Sequence, residues 1–319
     1  MKKFTSDEIQ KALDEITEAH NQNNGFIAVE YTEEKFVVRY RDMHYLIASA
    51  PNDIEVYSSK DNILHKVPIT YESGPEIIPA FGNIEEHPPY EQANMLVGEM
   101  GGDQCRNSNS MGSYGTITLY AKSITLEASG RCNLTCSAAP ALMSNNHVIG
   151  RSDAGRKGEV IWTPFRADTA RLECLIPFSC RSDTDVALAR VHNTAGISNW
   201  TVRTIGRLNN LRRPNIGESI KKHGARTGYT TGRVTGQTNI RVGAYTYRRV
   251  FSTTGGFSCP GDSGSAVVAS NNDLIGVLSW GDSIPCDNSP RGYFWTLVNP
   301  GRLSEDPDFS DLEIAISNS

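Results

Sequence analysis

The sequence contains no apolar run long enough to cross a bilayer, and its first residues, MKKFTSDEIQ, lack the apolar core of a signal peptide. It also lacks an internal repeat of about 20–50 residues, which excludes solenoids and propellers. These absences predict a cytoplasmic protein that does not associate with a membrane. At 319 residues, with 38% hydrophobic and 21% charged residues, the chain is long enough for two domains.

A zinc-type arrangement of cysteines is missing as well. The chain has seven cysteines. Neither Cys132 with Cys136 nor Cys174 with Cys180 lies beside a histidine at zinc-ligand spacing. We therefore expect no metal and no cofactor. Because seven is an odd number, at least one thiol is left outside any intrachain disulfide.

Acidic residues are nearly absent from one part of the chain. Residues 201–250 hold 11 Lys or Arg against 1 Asp or Glu, whereas residues 1–100 hold 8 against 18, so the net charge of −5 conceals two opposed blocks. Basic residues interleaved with tyrosines can bind nucleic acid, but a solvated strand face is the commoner explanation, and nucleic acid is the less favoured partner. The opposite charges also allow the acidic N-terminal part to dock on the basic part.

The sequence divides into four parts. Residues 1–72 read as an α+β module: Thr5 and Glu8 form a capping-box pattern that opens a helix over the first twenty residues, and Gly25 ends it. Three strands of an antiparallel meander are predicted next, at Phe26–Tyr31, Lys35–Tyr40 and His44–Ala50. Residues 73–109 lack periodicity and are predicted to be a linker.

From residue 110 to residue 302 the chain is rich in short β segments without a strong amphipathic helix between them. This pattern predicts an all-β sandwich or barrel. An acidic tail, residues 303–319, follows. The β segments begin at Gly115, Ala187, Arg233, Ser265 and Leu274.

One segment of the β region has the composition of a nucleophile site. Ser263 lies in Cys259-Pro-Gly-Asp-Ser-Gly-Ser, where Gly261 and Gly264 let the backbone turn tightly and direct amide groups to one point. A serine hydroxyl needs a base and an orienting acid. His147, at the end of an apolar run, and Asp185, at the start of a buried strand, are the candidates.

In this order the motifs resemble those of chymotrypsin-like (trypsin-fold) serine peptidases. The SNNHV sequence around His147 is similar to bacterial branches, including HtrA-like proteins, and the segment after Thr227 resembles narrow-leaf-type trypsin-like proteins. The resemblance covers residues 110–302 and implies a mostly β, double β-barrel peptidase domain preceded by the α+β module. It implies a serine endopeptidase with protein or peptide substrates.

The resemblance also assigns roles to residues. Ser263 would be the nucleophile, His147 the base and Asp185 the orienting acid, with the amides of Gly261 and Ser263 as the oxyanion hole. Ser279, Trp280 and Gly281 would pair with the substrate backbone, and Phe257 and Arg291 would fall at the floor and wall of the specificity pocket. Cys259 and Cys286 are placed where the family often has a disulfide.

Several alternatives remain open. Asp183 is a rival acid, His192 and His223 are rival bases, and Ser265 is a rival nucleophile. If Arg291 faces the specificity pocket, substrates with acidic side chains would be favoured. If Gly292 takes that place in the pocket wall, substrates with apolar side chains would be favoured, and Arg291 would point to solvent.

The sequence departs from the family pattern in two places. No IVGG-like segment precedes the barrel, so Asp262 needs another partner, and Val148 replaces the usual cysteine after the histidine. Two functions are therefore carried forward. One is an active peptidase, regulated by its N-terminal module; the other is a catalytically idle peptidase-fold binding or scaffold protein.

Overall fold

The computed structural model describes residues 4–32, 34–43, 50–80, 82–83, 99–110, 112–128, 132–164, 166–180, 183–298 and 312–317. Within these ranges no helix has the length and apolar character needed to span a membrane. The elements of the N-terminal part are α1 Ser6–His20, β1 Phe26–Tyr31, β2 Phe36–Tyr40, β3 Asp53–Ser58, β4 Ile63–Ser73, β5 Ile77–Pro79, β6 Gly82–Asn83, β7 Glu99–Gly101 and β8 Gln104–Asn107.

The elements that follow are almost all strands, which confirms the expectation of a mostly β chain. They are β9 Ser113–Thr116, β10 Leu119–Ala121, β11 Ser123–Ala128, β12 Leu134–Ala138, β13 Ala141–Ser144, α2 Asn146–Ile149, β14 Val160–Thr163, β15 Arg166–Leu175, β16 Ala187–Val191, β17 Ile197–Val202, β18 Gly206–Arg207, β19 Ser219–Gly224, β20 Gly228–Val242, β21 Tyr245–Gly255, β22 Ala266–Ala269, β23 Leu274–Asp282, β24 Arg291–Trp295 and β25 Leu312–Ser317, with a 3-10 turn at Cys286–Asn288.

The first helix has the capping box that the sequence predicts. The Thr5 hydroxyl accepts from the amide of Glu8, and the Glu8 carboxylate accepts from the amide of Thr5. The helix ends at His20 with Asn21 as its C-cap, so Gly25 follows the helix at a distance instead of ending it. Most of the predicted strand at 44–50 lies outside the described residues.

The stretch predicted to be a linker, residues 73–109, contains paired strands in its described part. The strand Ile77–Pro79 pairs with β23, Gly82–Asn83 pairs with β9, and Glu99–Gly101 pairs with β17. Prolines and glycines interrupt the periodicity there, but the backbone groups still find partners on strands that are distant in sequence. The acidic tail behaves similarly, because β25 pairs along its whole length with β11.

The second half of the chain closes a six-stranded barrel. Its strands pair in the order β19, β22, β23, β24, β21 and β20, and β20 returns to β19. A cluster of buried apolar side chains fills it, including Ile220, Val234, Phe257, Val267 and Phe294. The preceding strands form an eight-stranded sheet in the order β10, β13, β16, β15, β14, β8, β9 and β6.

The 15-residue strand β20 also joins the N-terminal part to this barrel. Its first half pairs with β19, and its second half, Gln237–Ile240, pairs antiparallel with Ala28–Tyr31 of β1. The barrel sheet therefore continues through β1, β2, β4 and β3. Charges of the two opposed blocks meet at this junction, where Arg248 lies 3.3 Å from Asp14.

Six of the seven cysteines are paired. The disulfides are Cys132–Cys180, Cys136–Cys174 and Cys259–Cys286, and the buried Cys105 is the remaining thiol. The last of these pairs is the one that the family resemblance implies. Disulfides persist in oxidising compartments, so they argue against the cytoplasmic expectation, which stays a prediction.

Alkylation tests these pairings. In denaturant without reductant, we expect one modified cysteine, Cys105, and after reduction we expect seven. Mass spectrometry of the alkylated chain counts them, and peptide mapping identifies the cystines. More than one alkylated cysteine in the unreduced protein would contradict the pairing. A Cys105→Ala variant is the matched control, since it should give no modification before reduction.

Candidate active site

The loop that carries Ser263 is shaped by two glycines with left-handed backbones. Gly261 has a φ of +107° and Gly264 a φ of +95°, conformations that side chains other than glycine rarely adopt. A Cβ on Gly264 would collide with the carbonyl of Thr116, and one on Gly261 would lie 2.6 Å from the Tyr114 hydroxyl. The sequence therefore needs glycine on both sides of the nucleophile candidate.

Residues in and just after strand β9 of the eight-stranded sheet bind the carbonyl groups of this loop. The amide of Thr116 donates to the carbonyl of Ser263 at 2.6 Å, and the Thr116 hydroxyl donates to the carbonyl of Gly261 at 2.9 Å. The Thr118 hydroxyl donates to the carbonyl of Gly264 at 2.7 Å. These three bonds attach the loop to the eight-stranded sheet and to the segment that follows β9.

A buried ion pair lies beneath the loop. The Lys222 ammonium is 3.1 Å from the Asp262 carboxylate, and both side chains are fully buried. The same carboxylate accepts from the amides of Cys259, Arg226 and Thr227. Complete burial lowers the pKa of Lys222, and the nearby Asp262 charge opposes that shift. Lys222 thus supplies the partner that Asp262 needs in the absence of an IVGG-like segment.

His147 and Asp185 meet at the other wall of the site. Asn145 occupies the N-cap position of the short helix α2, and its side chain donates to the carbonyl of Leu278 at 2.8 Å instead of to the helix. Asp185 accepts from the backbone amide of His147 at 3.1 Å through one oxygen and contacts Nδ1 of the imidazole through the other. Asp185 is fully buried. This two-point contact fixes the ring and leaves Nε2 as the nitrogen available for proton transfer.

The Ser263 hydroxyl is fully buried and donates to the carbonyl of Ser279 at 2.9 Å. A hydroxyl carries one proton, so in this rotamer the proton points to Ser279. Transfer to His147 requires a rotation about the Cα–Cβ bond of Ser263.

The predicted oxyanion donors converge on one acceptor. The amides of Gly261 and Ser263 donate to the carbonyl oxygen of Ala80, at 2.7 and 3.0 Å. The predicted substrate-pairing strand also has a partner, because Trp280, Gly281 and Asp282 of β23 pair antiparallel with β5. Ser279, Trp280 and Gly281 are all buried.

An open cleft of about 540 Å³ adjoins these residues. Trp280 of the barrel and His147, which follows β13 of the eight-stranded sheet, line it, and the ring of Tyr247 lies 4.4 Å from that of Trp280. Phe26 and Ile77 of the N-terminal part line it as well. The cleft is therefore formed jointly by the N-terminal part, the six-stranded barrel and the helix that follows β13 of the eight-stranded sheet.

Two residues assigned to the specificity pocket have other surroundings. Phe257 is fully buried in the core of the six-stranded barrel, where its ring packs against Gly232 and Gly292. The ring therefore lies in the interior instead of lining an accessible pocket. The Arg291 guanidinium is partly exposed and lies 3.5 Å from Glu30 of β1. It faces the N-terminal part, which removes the basis for a preference for acidic substrates.

The rival residues lie in different surroundings. His192 is exposed, and Asp183 is half-buried. His223 is buried beside Thr204, and burial together with the charges of Lys222 and Arg203 lowers its pKa to about 4. The Ser265 hydroxyl donates to the carbonyl of Asp262 at 2.6 Å, which makes it part of the loop's own support.

The sequence comparison adds the family. The profile described as Trypsin matches residues 123–299, which is more than half of the chain. The protein belongs to the trypsin family. The match begins after the predicted residue 110 and ends within the predicted barrel region. It shows the trypsin-like fold and leaves residues 1–122 outside the match.

Solved structures include similar bacterial proteins. A Cellulomonas bogoriensis chymotrypsin has 21% identity over 62% of this chain and 91% of its own, with a TM-score of 0.43. Thermobifida fusca Protease A has 17% identity over 62% and 90%, also at 0.43. A Nocardiopsis protease has 16% identity over 62% and 91%, at 0.43. Comparison with curated proteins gave no match.

Sequence reasoning missed two features of this trypsin-family site. Lys222 was grouped with the exposed basic residues, although Ile220 and Lys222 alternate along β19 and therefore share a face. A lysine on the same strand face as a core isoleucine was the available signal. Ala80 lies in the predicted linker, and no sequence pattern there indicates that its carbonyl meets the site.

We expect Lys222→Met to destabilise the protein by about 3–5 kcal/mol, because it leaves the Asp262 carboxylate buried without its cation. Urea unfolding monitored by tryptophan fluorescence measures this change. Lys221→Met is the matched control: that ammonium bonds Asn272 at the surface, and its loss should cost less than about 1 kcal/mol.

The double variant Lys222→Met with Asp262→Asn should recover part of the lost stability, since it removes the buried charge as well. Equal effects of Lys222→Met and Lys221→Met would contradict the role given to the ion pair.

Proposed function

We propose that the protein is a serine endopeptidase that hydrolyses peptide bonds through His147, Asp185 and Ser263. One observation carries the proposal: the amides of Gly261 and Ser263 donate to a single carbonyl oxygen, and a histidine whose Nδ1 is held by a buried aspartate lines the same cleft as the segment that ends at that carbonyl. Membership of the trypsin family supports protein substrates. The HtrA-like or narrow-leaf affinity suggested by the motifs stays a finer proposal.

In this mechanism each residue acts through a contact already described. Ser263 rotates from the Ser279 carbonyl toward His147, gives up its proton and attacks the substrate carbonyl carbon. Asp185 stabilises the imidazolium that forms. The two amides bind the oxyanion. Removing either of them would destabilise the transition state by roughly 3–4 kcal/mol. His147 then protonates the leaving amine, and water releases the acyl group.

The competing proposal is a peptidase-fold binding or scaffold protein that is catalytically idle. The rotamer of Ser263 is consistent with it, because the hydroxyl proton points to Ser279. Hydroxyl rotation is a fast side-chain motion, however, so the rotamer alone does not favour an idle site. A chemical test of the serine separates the two functions.

We expect a fluorophosphonate probe to label Ser263, since a base-activated serine is the group that such probes modify. Ser263→Ala and His147→Ala should abolish labelling, and Asp185→Asn should reduce turnover of a peptide substrate by roughly 10⁴-fold because the imidazole loses its orienting carboxylate. Labelling is read by gel fluorescence and the modified peptide by mass spectrometry.

Ser270→Ala is the matched control, because that hydroxyl lies at the surface, where it donates to the carbonyl of Ser219 on β19, and its loss should leave labelling intact. If the wild type, after overnight incubation in the folded state, takes up no probe and cleaves no peptide, the idle-scaffold function is supported and the peptidase proposal fails.

A further inference from the structure

Residues 77–80 occupy the site in the way that a peptide substrate would. The strand β5 runs antiparallel to β23, with Ile77 opposite Asp282, Ile78 opposite Gly281 and Pro79 opposite Trp280. The pairing continues at both ends, because the amide of Ser283 donates to the carbonyl of Glu76 at 2.8 Å. An extended segment added to a strand edge is a recurring mode of peptide recognition.

Ala80 ends this segment at the catalytic residues. Its amide donates to the carbonyl of Ser279 at 3.0 Å, and its own carbonyl accepts from Gly261 and Ser263. The Ser263 hydroxyl bonds the same Ser279 carbonyl, so nucleophile and peptide share one acceptor. The carbonyl group on the two donors belongs to the peptide bond that joins Ala80 to Phe81.

The chain is held again on the far side of that bond. Gly82 and Asn83 pair antiparallel with Tyr114 and Ser113 of β9. The backbone before the bond is thus fixed on the six-stranded barrel, and the backbone after it is fixed on the eight-stranded sheet. The catalytic residues come from the same two units, since His147 follows β13 of the eight-stranded sheet and Ser263 precedes β22 of the barrel.

We propose that Ile77–Ala80 is an intramolecular substrate and that Ser263 cleaves the Ala80–Phe81 bond. This inference rests on the proposed peptidase function. Ser263 Oγ bonds to the carbonyl carbon of Ala80, and the hydroxyl proton passes through His147 to the nitrogen of Phe81 as the carbon–nitrogen bond breaks. Water then hydrolyses the ester, leaving a carboxylate on Ala80 and restoring Ser263.

Burial along the segment sets the side-chain requirement. Ala80 is 2% exposed, so its methyl group is enclosed, and we expect a long charged side chain at this position to displace the segment. Ile78 lies opposite Gly281 in the pairing of β5 with β23, and it is 37% exposed. We therefore expect the site to favour a small residue immediately before the cleaved bond and to accept a larger side chain two residues earlier.

The segment also accounts for access to the site. While β5 pairs with β23 and Ala80 fills the two amide donors, no second peptide can use the same strand edge or the same donors. Cleavage followed by departure of the Ala80 end is the step that frees both for an external substrate.

The test is incubation of the purified full-length chain in its folded state. N-terminal sequencing and intact mass should show one cut, with a fragment that begins Phe-Gly-Asn-Ile, and Ser263→Ala should stay uncut over the same period. A rate constant unchanged across a 100-fold dilution indicates an intramolecular cut. An apparent first-order rate constant that rises in proportion to protein concentration would overturn the intramolecular assignment.

A matched pair of variants tests the side-chain requirement. Ala80→Lys should slow cleavage by roughly 100-fold, the scale of loss expected when a reacting group is displaced by about 1 Å, and Ile78→Lys should slow it much less. Circular dichroism and urea unfolding confirm that each variant is folded. Equal slowing by the two variants would overturn the assignment of Ala80.

The outcome also separates this inference from the peptidase proposal. A chain that turns over a peptide substrate and labels at Ser263, yet stays uncut at Ala80–Phe81, keeps the peptidase function and refutes the intramolecular substrate. A synthetic peptide of residues 74–85 that is cut between Ala and Phe by the enzyme would support the side-chain selection. A chain with neither cut nor label refutes both.

Discussion

The site depends on one buried carboxylate. Asp262 receives three backbone amides, the Thr227 hydroxyl and the ammonium of Lys222, so the turn that carries Ser263 is tied to β19 and to the segment after it. A buried charge with this many donors is stable only while all of them stay in place. The amides of Gly261 and Ser263, which flank Asp262 in the chain, both donate to the carbonyl of Ala80.

A second buried network ties the N-terminal part to the strands that flank the cleft. Arg39 of β2 donates to the Tyr293 hydroxyl at 2.8 Å, and that hydroxyl donates to Asp282 at 2.9 Å. Glu30 of β1 lies within ion-pair distance of both Arg39 and Arg291. The N-terminal strands are therefore part of the support of β23 and β24, and residues 1–72 are joined to the barrel through a continuous sheet.

Much of this architecture was predictable because its signals are local. The capping box of Thr5 and Glu8, the strand at Ala187–Val191 and the glycines beside Ser263 each follow from a few neighbouring residues. The burial of Phe257 in the barrel core could not be predicted, because the number of residues before Ser263 does not determine which way a side chain points. The pairing of Ile77–Pro79 with β23 joins segments about 200 residues apart, and no local pattern encodes a backbone pairing of that kind.

The placement of β5 explains how the loop that carries Ser263 and a large N-terminal part can coexist in one folding unit. The edge of β23 offers unpaired backbone groups, and a buried edge of this kind has to be covered. β5 satisfies it with the chain's own residues, and the donors of the Ser263 turn are satisfied by Ala80 in the same step. Satisfying every backbone donor in the site thus places the Ala80 carbonyl where the chemistry of a trypsin-family serine would act on it. The protection of the site and its first reaction then follow from the same hydrogen bonds.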